Sequence, residues 1–179
     1  MRKDKLIKIE TPLTESIIEQ INAGDLILIN GYVYTARDAA HKKLLELINS
    51  NLPLPFDLRG QVIYYVGPTP PPPGRPIGSA GPTTSSRMDI YTPTLLSLGL
   101  KGMIGKGQRS EEVKKAIRKF KALYFLATGG AGALLSRHIL EAEEIAFPEL
   151  GTESIKRLLL KDFPAIVAID SKGKDIFKH

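Results

Sequence analysis

Gly81-Pro82-Thr83-Thr84-Ser85-Ser86-Arg87-Met88-Asp89 reads as a loop running into a helix. Apolar strands joined to helices by such junctions make a mixed α/β domain. Thr83 to Ser86 fill the capping positions, where hydroxyl oxygens accept hydrogen bonds from unpaired backbone N–H groups. Arg87 follows within the expected first turn and has the wrong sign there. A cation on the positive end of a helix dipole loses about 0.3–1 kcal/mol. A bound anion reverses that sign, because N–H groups, hydroxyls and a guanidinium then converge on one negative charge.

The pattern recurs in Tyr34-Thr35-Ala36-Arg37-Asp38-Ala39-Ala40-His41, behind the apolar run Leu26-Ile27-Leu28-Ile29. A further cation, Lys106, sits in the glycine-flanked turn Ile104-Gly105-Lys106-Gly107-Gln108-Arg109, and Ser110 opens the next helix. Cations at three element junctions suit a small polyanion such as a dicarboxylate. The alternative is that Asp38 and Asp89 offset their neighbouring arginines and that all three cations are solvated.

A chain of 179 residues with 42% hydrophobic and 25% charged residues is composed like one ordinary globular domain. It contains no apolar run near 20 residues, so no membrane span is expected. Its charged start, Met1-Arg2-Lys3-Asp4-Lys5-Leu6, does not read as a secretory signal, and a cytoplasmic setting is expected. There is no cysteine, which excludes disulfides, thiol nucleophiles and cysteine-held clusters on this chain. His41, His138 and His179 make no metal-ligand spacing, and no metal site is expected. The net charge of +6 is spread out. The densest basic stretch, Glu111 to Lys121, reads as an amphipathic helix with acids first and bases last, as its dipole favours, and not as a nucleic-acid surface.

Helices are expected over 14–24, 36–50, 86–98 (with an interruption at Pro93), 110–119 and 152–160, and from the Gly129-Gly130-Ala131-Gly132 turn to about Leu140. Strands are expected over 25–34 (with a turn near Asn30-Gly31), 62–66, 102–104, 122–127, 143–147 and 165–170. Pro70 to Pro73 cannot enter regular structure; they read as a stiff loop leading to the hydroxyl-rich segment, or as a polyproline ligand. Thr128 to Gly132 lacks the third glycine of a dinucleotide fingerprint, and close backbone packing explains it better.

Tyr34 to Lys42, Val62 to Pro68, Ser79 to Thr84 with Arg87-Met88-Asp89, and Met103 to Gly107 together resemble the beta part of class I fumarate hydratases. Ala127 to Ala131, Ala146 to Gly151 and Val167 to Gly173 are similar too, so the resemblance runs from about residue 6 to 174. The L-tartrate dehydratase beta subunit shares this skeleton. The resemblance implies one domain over residues 1–179, an α/β, single-domain swivelling β/β/α three-layer fold with a mixed sheet. It implies a hydro-lyase interconverting fumarate and malate. A partner alpha subunit would carry a [4Fe–4S] cluster, and this chain would bind none. This chain would be inactive alone. Carboxylate-binding positions fall on Arg37, Thr83, Thr84, Ser85, Ser86, Arg87 and Lys106. By the resemblance Thr83 would carry the proton. The other candidate, read from spacing alone, is His41, one helical turn after Arg37 and otherwise a packed residue that orients it. The remaining readings are tartrate dehydration and a non-catalytic anion-binding or interaction module.

Overall fold

Apolar runs form the strands of one seven-stranded mixed sheet. The computed structural model describes residues 6–128 and 132–178. β1 (Leu6–Glu10), β2 (Leu26–Thr35), β3 (Val62–Tyr64), β4 (Gly102–Gly105) and β5 (Leu123–Ala127) run parallel in that order. β6 (Ile139–Ala146) and the long β7 (Ile155–Ile169) are antiparallel to each other, and β7 pairs antiparallel with both β5 and β2. That double pairing closes β2, β3, β4, β5 and β7 into a barrel-like ring, with β1 and β6 flanking it.

The central strands β3 and β4, and β5 over Leu123 to Phe125, bury both faces, as parallel strands generally do. Val62, Tyr64, Ile104, Leu123 and Phe125 pack with Phe163 and Val167 in one cluster. Their alternates Ile63, Tyr65, Met103 and Tyr124 pack in a second cluster, against α2 (Asp38–Asn49), α3 (Thr92–Ser97) and α4 (Glu111–Phe120). α1 (Glu15–Gln20) is capped by Thr14, whose hydroxyl accepts from the Ile17 N–H. α4 starts on Ser110, which accepts from Val113 N, and ends on Lys121 in the left-handed region. Both starts match the sequence reading.

Several expectations are corrected. The expected helix over 152–160 is a 3₁₀ segment, Pro148–Glu153, followed by β7. Ile155 and Leu158 imitate a helical stripe, but pairing with β6 and β2, distant in sequence, overrides it. The expected helix over 86–98 is two pieces: a 3₁₀ turn, Ser85–Met88, and α3, where Pro93 occupies an N-terminal position and starts the helix. No turn interrupts β2; Gly31, at φ 101, lies at a bulge against β7. The helix α5 (Gly132–Ser136) ends before His138, and β6 begins earlier than expected. Gly129 to Ala131 lie outside the described residues. Gly132 packs backbone to backbone on Gly81, where a Cβ would come within 3.0 Å of the Gly81 Cα.

Candidate functional site

Three strand ends bring the three junctions together. β2 leads through Ala36 into Arg37, the extended N-cap of α2, which offers its helix no side-chain cap. After β3, the Tyr65 carbonyl accepts from Thr83 N at 2.7 Å and draws the hydroxyl-rich segment in. After β4, Lys106 forms a parallel bridge with Thr84, and Ser85 N donates to the Lys106 carbonyl at 3.0 Å. Arg37, Thr83 to Arg87 and Lys106 therefore share the carboxyl ends of the parallel strands β2, β3 and β4.

Arg87 grips Asp38 with both sides of its fork, Nε to Oδ1 at 2.9 Å and Nη2 to Oδ2 at 3.3 Å. The same Nη2 donates to Thr83 Oγ1 at 2.9 Å. Arg37 Nε lies 3.8 Å from Asp38 Oδ2 and 4.0 Å from Glu153 Oε1, ion-pair distances without a hydrogen bond. Gly67 makes room for it: a Cβ there would stand 3.0 Å from the Arg37 Cδ. The Arg87 hydrogen bond holds the Asp38 carboxyl below its ordinary pKa, and Asp38 raises that of Arg87. The cluster is open, with side-chain exposures of 30% for Arg37, 40% for Asp38 and 46% for Arg87. Lys106 is also exposed, on the turn ended by Gly107 at φ 84.

The alternative of locally neutralised arginines holds in part. Asp38 offsets Arg87, which is 49 residues away, and stands farther from its neighbour Arg37. Asp89 does not serve Arg87. It accepts from Arg109 Nε at 2.6 Å and from Ser110 N at 2.8 Å, beneath the site. Arg109 is buried and also donates to Tyr65 Oη and Thr92 Oγ1. Sequence spacing missed this pair and missed Glu153, whose carboxylate accepts from Ala39 N at the start of α2. Glu153 arrives from a segment 114 residues away, and nothing local announces it.

Two expected site residues lie in the interior. Ser85 is fully buried, with Tyr124 Oη at 2.8 Å from its hydroxyl, whereas Thr83 and Thr84 are half-buried and Ser86 is exposed. His41 is fully buried between the rings of Tyr65 and Tyr91. Its Nδ1 donates to the Arg37 carbonyl at 2.8 Å, and Nε2 has no hydrogen-bond partner among the described residues.

Burial pushes the His41 pKa down to about 4 from an ordinary 6.5; the Arg109 charge adds to the shift, and the Arg37 carbonyl and Asp38 oppose it. Between those values the unfolded chain takes up a proton that the folded chain refuses. Stability is therefore whole above about pH 6.5 and falls as the pH drops towards 4, by roughly 3 kcal/mol at the end. Urea unfolding at a series of pH values reads this slope. It should flatten in His41→Asn; an unchanged slope would place the acid sensitivity elsewhere.

A groove of about 330 Å³ opens between the proline-rich loop and the β6–β7 hairpin. Pro68, Pro70, Thr152, Glu144 and Lys156 line it, and none of Arg37, Thr83, Arg87 or Lys106 does.

The family model described as fumarase C-terminus matches residues 1–179. This chain belongs to the fumarase C-terminus family. It is similar to the anaerobic class I fumarate hydratase of Escherichia coli K12, with 38% identity over 177 residues, 97% of this chain and 32% of that protein. Fumarate hydratase 2 of Leishmania major is 38% identical over 162 residues, 89% of this chain and 28% of that protein. The putative L(+)-tartrate dehydratase subunit beta of Methanocaldococcus jannaschii is 36% identical over 177 residues, 93% of this chain and 89% of that subunit. The chain thus spans about a third of the fumarate hydratases and most of the tartrate-type subunit. These relatives are named as fumarate hydratases and as a putative tartrate dehydratase subunit.

Proposed function

We propose that this chain is the beta subunit of a heteromeric hydro-lyase that interconverts fumarate and (S)-malate, the swivelling β/β/α component completed by an alpha subunit. The observation that carries the reading is the Arg37–Asp38–Arg87–Thr83 constellation, open on one side at the strand ends. Arg37, whose Nε makes no hydrogen bond, and the exposed Lys106 offer the positive charge that a doubly negative substrate needs, beside an Arg87 that Asp38 already grips. Arginine suits this task because its planar donors meet both oxygens of a carboxylate and stay charged. Removal of the proton beside a carboxylate builds negative charge on that carboxylate, and preorganised donors stabilise it. A half-exposed rim alone would leave the substrate hydrated; the partner would close it and exclude water.

Thr83 is the proposed proton carrier. A free threonine hydroxyl is a poor base, but the Arg87 Nη2 hydrogen bond favours its deprotonated form. His41, sealed in the interior and tied to the Arg37 carbonyl, is proposed to hold Arg37 in place. Ser85 is proposed to seat the loop, while Thr84 and Ser86 flank the substrate. A [4Fe–4S] cluster has no thiolate ligand on this chain, which has no cysteine, and the alpha subunit is proposed to carry it. Bound there, the cluster supplies a Lewis acid for the hydroxyl that leaves malate. No helix among the described residues is long and apolar enough to cross a membrane, and a cytoplasmic setting is proposed.

The tartrate-type relative, matched over 89% of its length, favours a second reading in which the substrate is a dihydroxylated dicarboxylate such as tartrate. The deciding experiment is anaerobic co-expression with the alpha chain and assay of malate and tartrate dehydration by the pair and by each chain alone. Turnover of malate by the pair only is expected. Faster tartrate turnover would select the second reading, and activity of the isolated chain would refute the subunit assignment.

A further inference from the structure

Tyr124 crosses beneath the site from β5. Its hydroxyl lies 2.7 Å from the Gly107 carbonyl and 2.8 Å from Ser85 Oγ. A carbonyl only accepts, so the single tyrosine proton goes to Gly107. The Ser85 hydroxyl then donates to the tyrosine oxygen. This gives one directed chain, Ser85 O–H to Tyr124 O–H to Gly107 C=O. Its two ends belong to different parts of the site. Ser85 follows Thr83 and Thr84 and opens the turn that carries Arg87, and Gly107 follows Lys106. The Thr84–Lys106 bridge and the Ser85 N to Lys106 O bond couple the same two segments through the backbone.

We infer that Tyr124 is a positioning residue: its buried hydroxyl clamps the Thr83–Arg87 segment to the Lys106 turn and sets the spacing between the guanidinium and the ammonium that hold the two carboxylates. The inference rests on the proposed dicarboxylate function. Four further observations support it. The clamp is shielded, since both Ser85 and Tyr124 are fully buried. The Arg109 guanidinium lies 4.8 Å from the Tyr124 ring centroid, and this contact holds the ring without using its hydroxyl. Gly105 leaves the space that Ser85 needs, because a Cβ there would run into Ser85 Oγ. Burial pushes the Tyr124 pKa up to about 12, so the hydroxyl stays protonated across the neutral range.

The test is Tyr124→Phe in the alpha–beta assembly, with malate and fumarate as substrates. This variant keeps the ring and its contact with Arg109 and removes only the clamp. KM for both substrates should rise about fivefold to twentyfold, the scale of one to two modest hydrogen bonds, with kcat changed less than threefold. In a Lys106→Met background the same substitution should add less than twofold, since the charge that it positions is gone. Ser85→Ala, which cuts the chain at its other end, should reproduce the KM effect, and thermal unfolding verifies that each assembly is intact. A KM within twofold of the parent in both Tyr124→Phe and Ser85→Ala would overturn the inference. So would full additivity with Lys106→Met. The underlying function is judged separately: if Arg87→Ala and Lys106→Met leave dehydration at parental rates, that function fails whatever Tyr124 does.

Discussion

Asp89→Ala is expected to lower the unfolding free energy by about 3–5 kcal/mol, the cost of leaving one partner of a buried ion pair alone. The pair is buried almost completely, with side-chain exposures of 0% for Arg109 and 11% for Asp89. The guanidinium has been stripped of water. Asp89 Oδ1, the Tyr65 and Thr92 oxygens and the faces of Tyr65 and Tyr124 stand in for it. Without Asp89 only neutral partners remain. Asp89 Oδ2 also accepts from Ser110 N, so the substitution strips a contact from the start of α4 as well. The surface pair of Arg59 with Asp57 supplies the contrast: the two approach to 2.7 Å but are 81% and 58% exposed. Asp57→Ala should barely move the unfolding curve. Urea unfolding with an unchanged m-value decides. Arg109→Met with Asp89→Leu should recover much of the loss, because apolar groups of similar volume leave no charge unpaired. A loss for Asp89→Ala no larger than that for Asp57→Ala would show that water reaches Arg109.

The same buried pair marks how far the sequence could be read. Local signals carried through to the structure. Thr14 and Ser110 cap helices that they precede, and acids lead bases along α4. Arg87 reaches both Thr83 and Asp38, and the Lys106 main chain bridges Thr84, because parallel strands deliver their carboxyl ends to one side. What failed depended on distant partners. Asp89 sits beside Arg87 in the chain, yet its carboxylate goes to a residue 20 positions away. Residues 155–160 look helical by spacing and become strand because β2 and β6 both pair with them. The hydroxyls from Thr83 to Ser86 look equivalent in sequence. In the fold one is buried under the site and the others are not. The resemblance of the whole chain to a family, in contrast, needed no contact to be known, and the family match covers residues 1–179.

Thr83→Ala in the alpha–beta assembly should lower kcat on the order of 10²-fold or more, the contribution of a positioned proton-transfer group. The fold has little reason to respond. The main-chain bond from Thr83 N to the Tyr65 carbonyl does not involve the side chain, and Arg87 stays gripped by Asp38 through two other contacts. Substrate affinity should therefore change modestly, and the loss should appear in kcat more than in KM. Thr83→Ser keeps the oxygen within reach of Arg87 Nη2 and should retain much of the rate. Thr83→Val keeps the shape without the oxygen and should match alanine. Exchange of the substrate's carbon-bound proton with solvent provides a second readout, which should collapse together with kcat if Thr83 moves that proton. A variant that raises KM while exchange and kcat stay near the parental values would reduce Thr83 to a binding residue. The proton would then have to be carried by another group, and not by His41, which is sealed beneath Tyr65 and Tyr91.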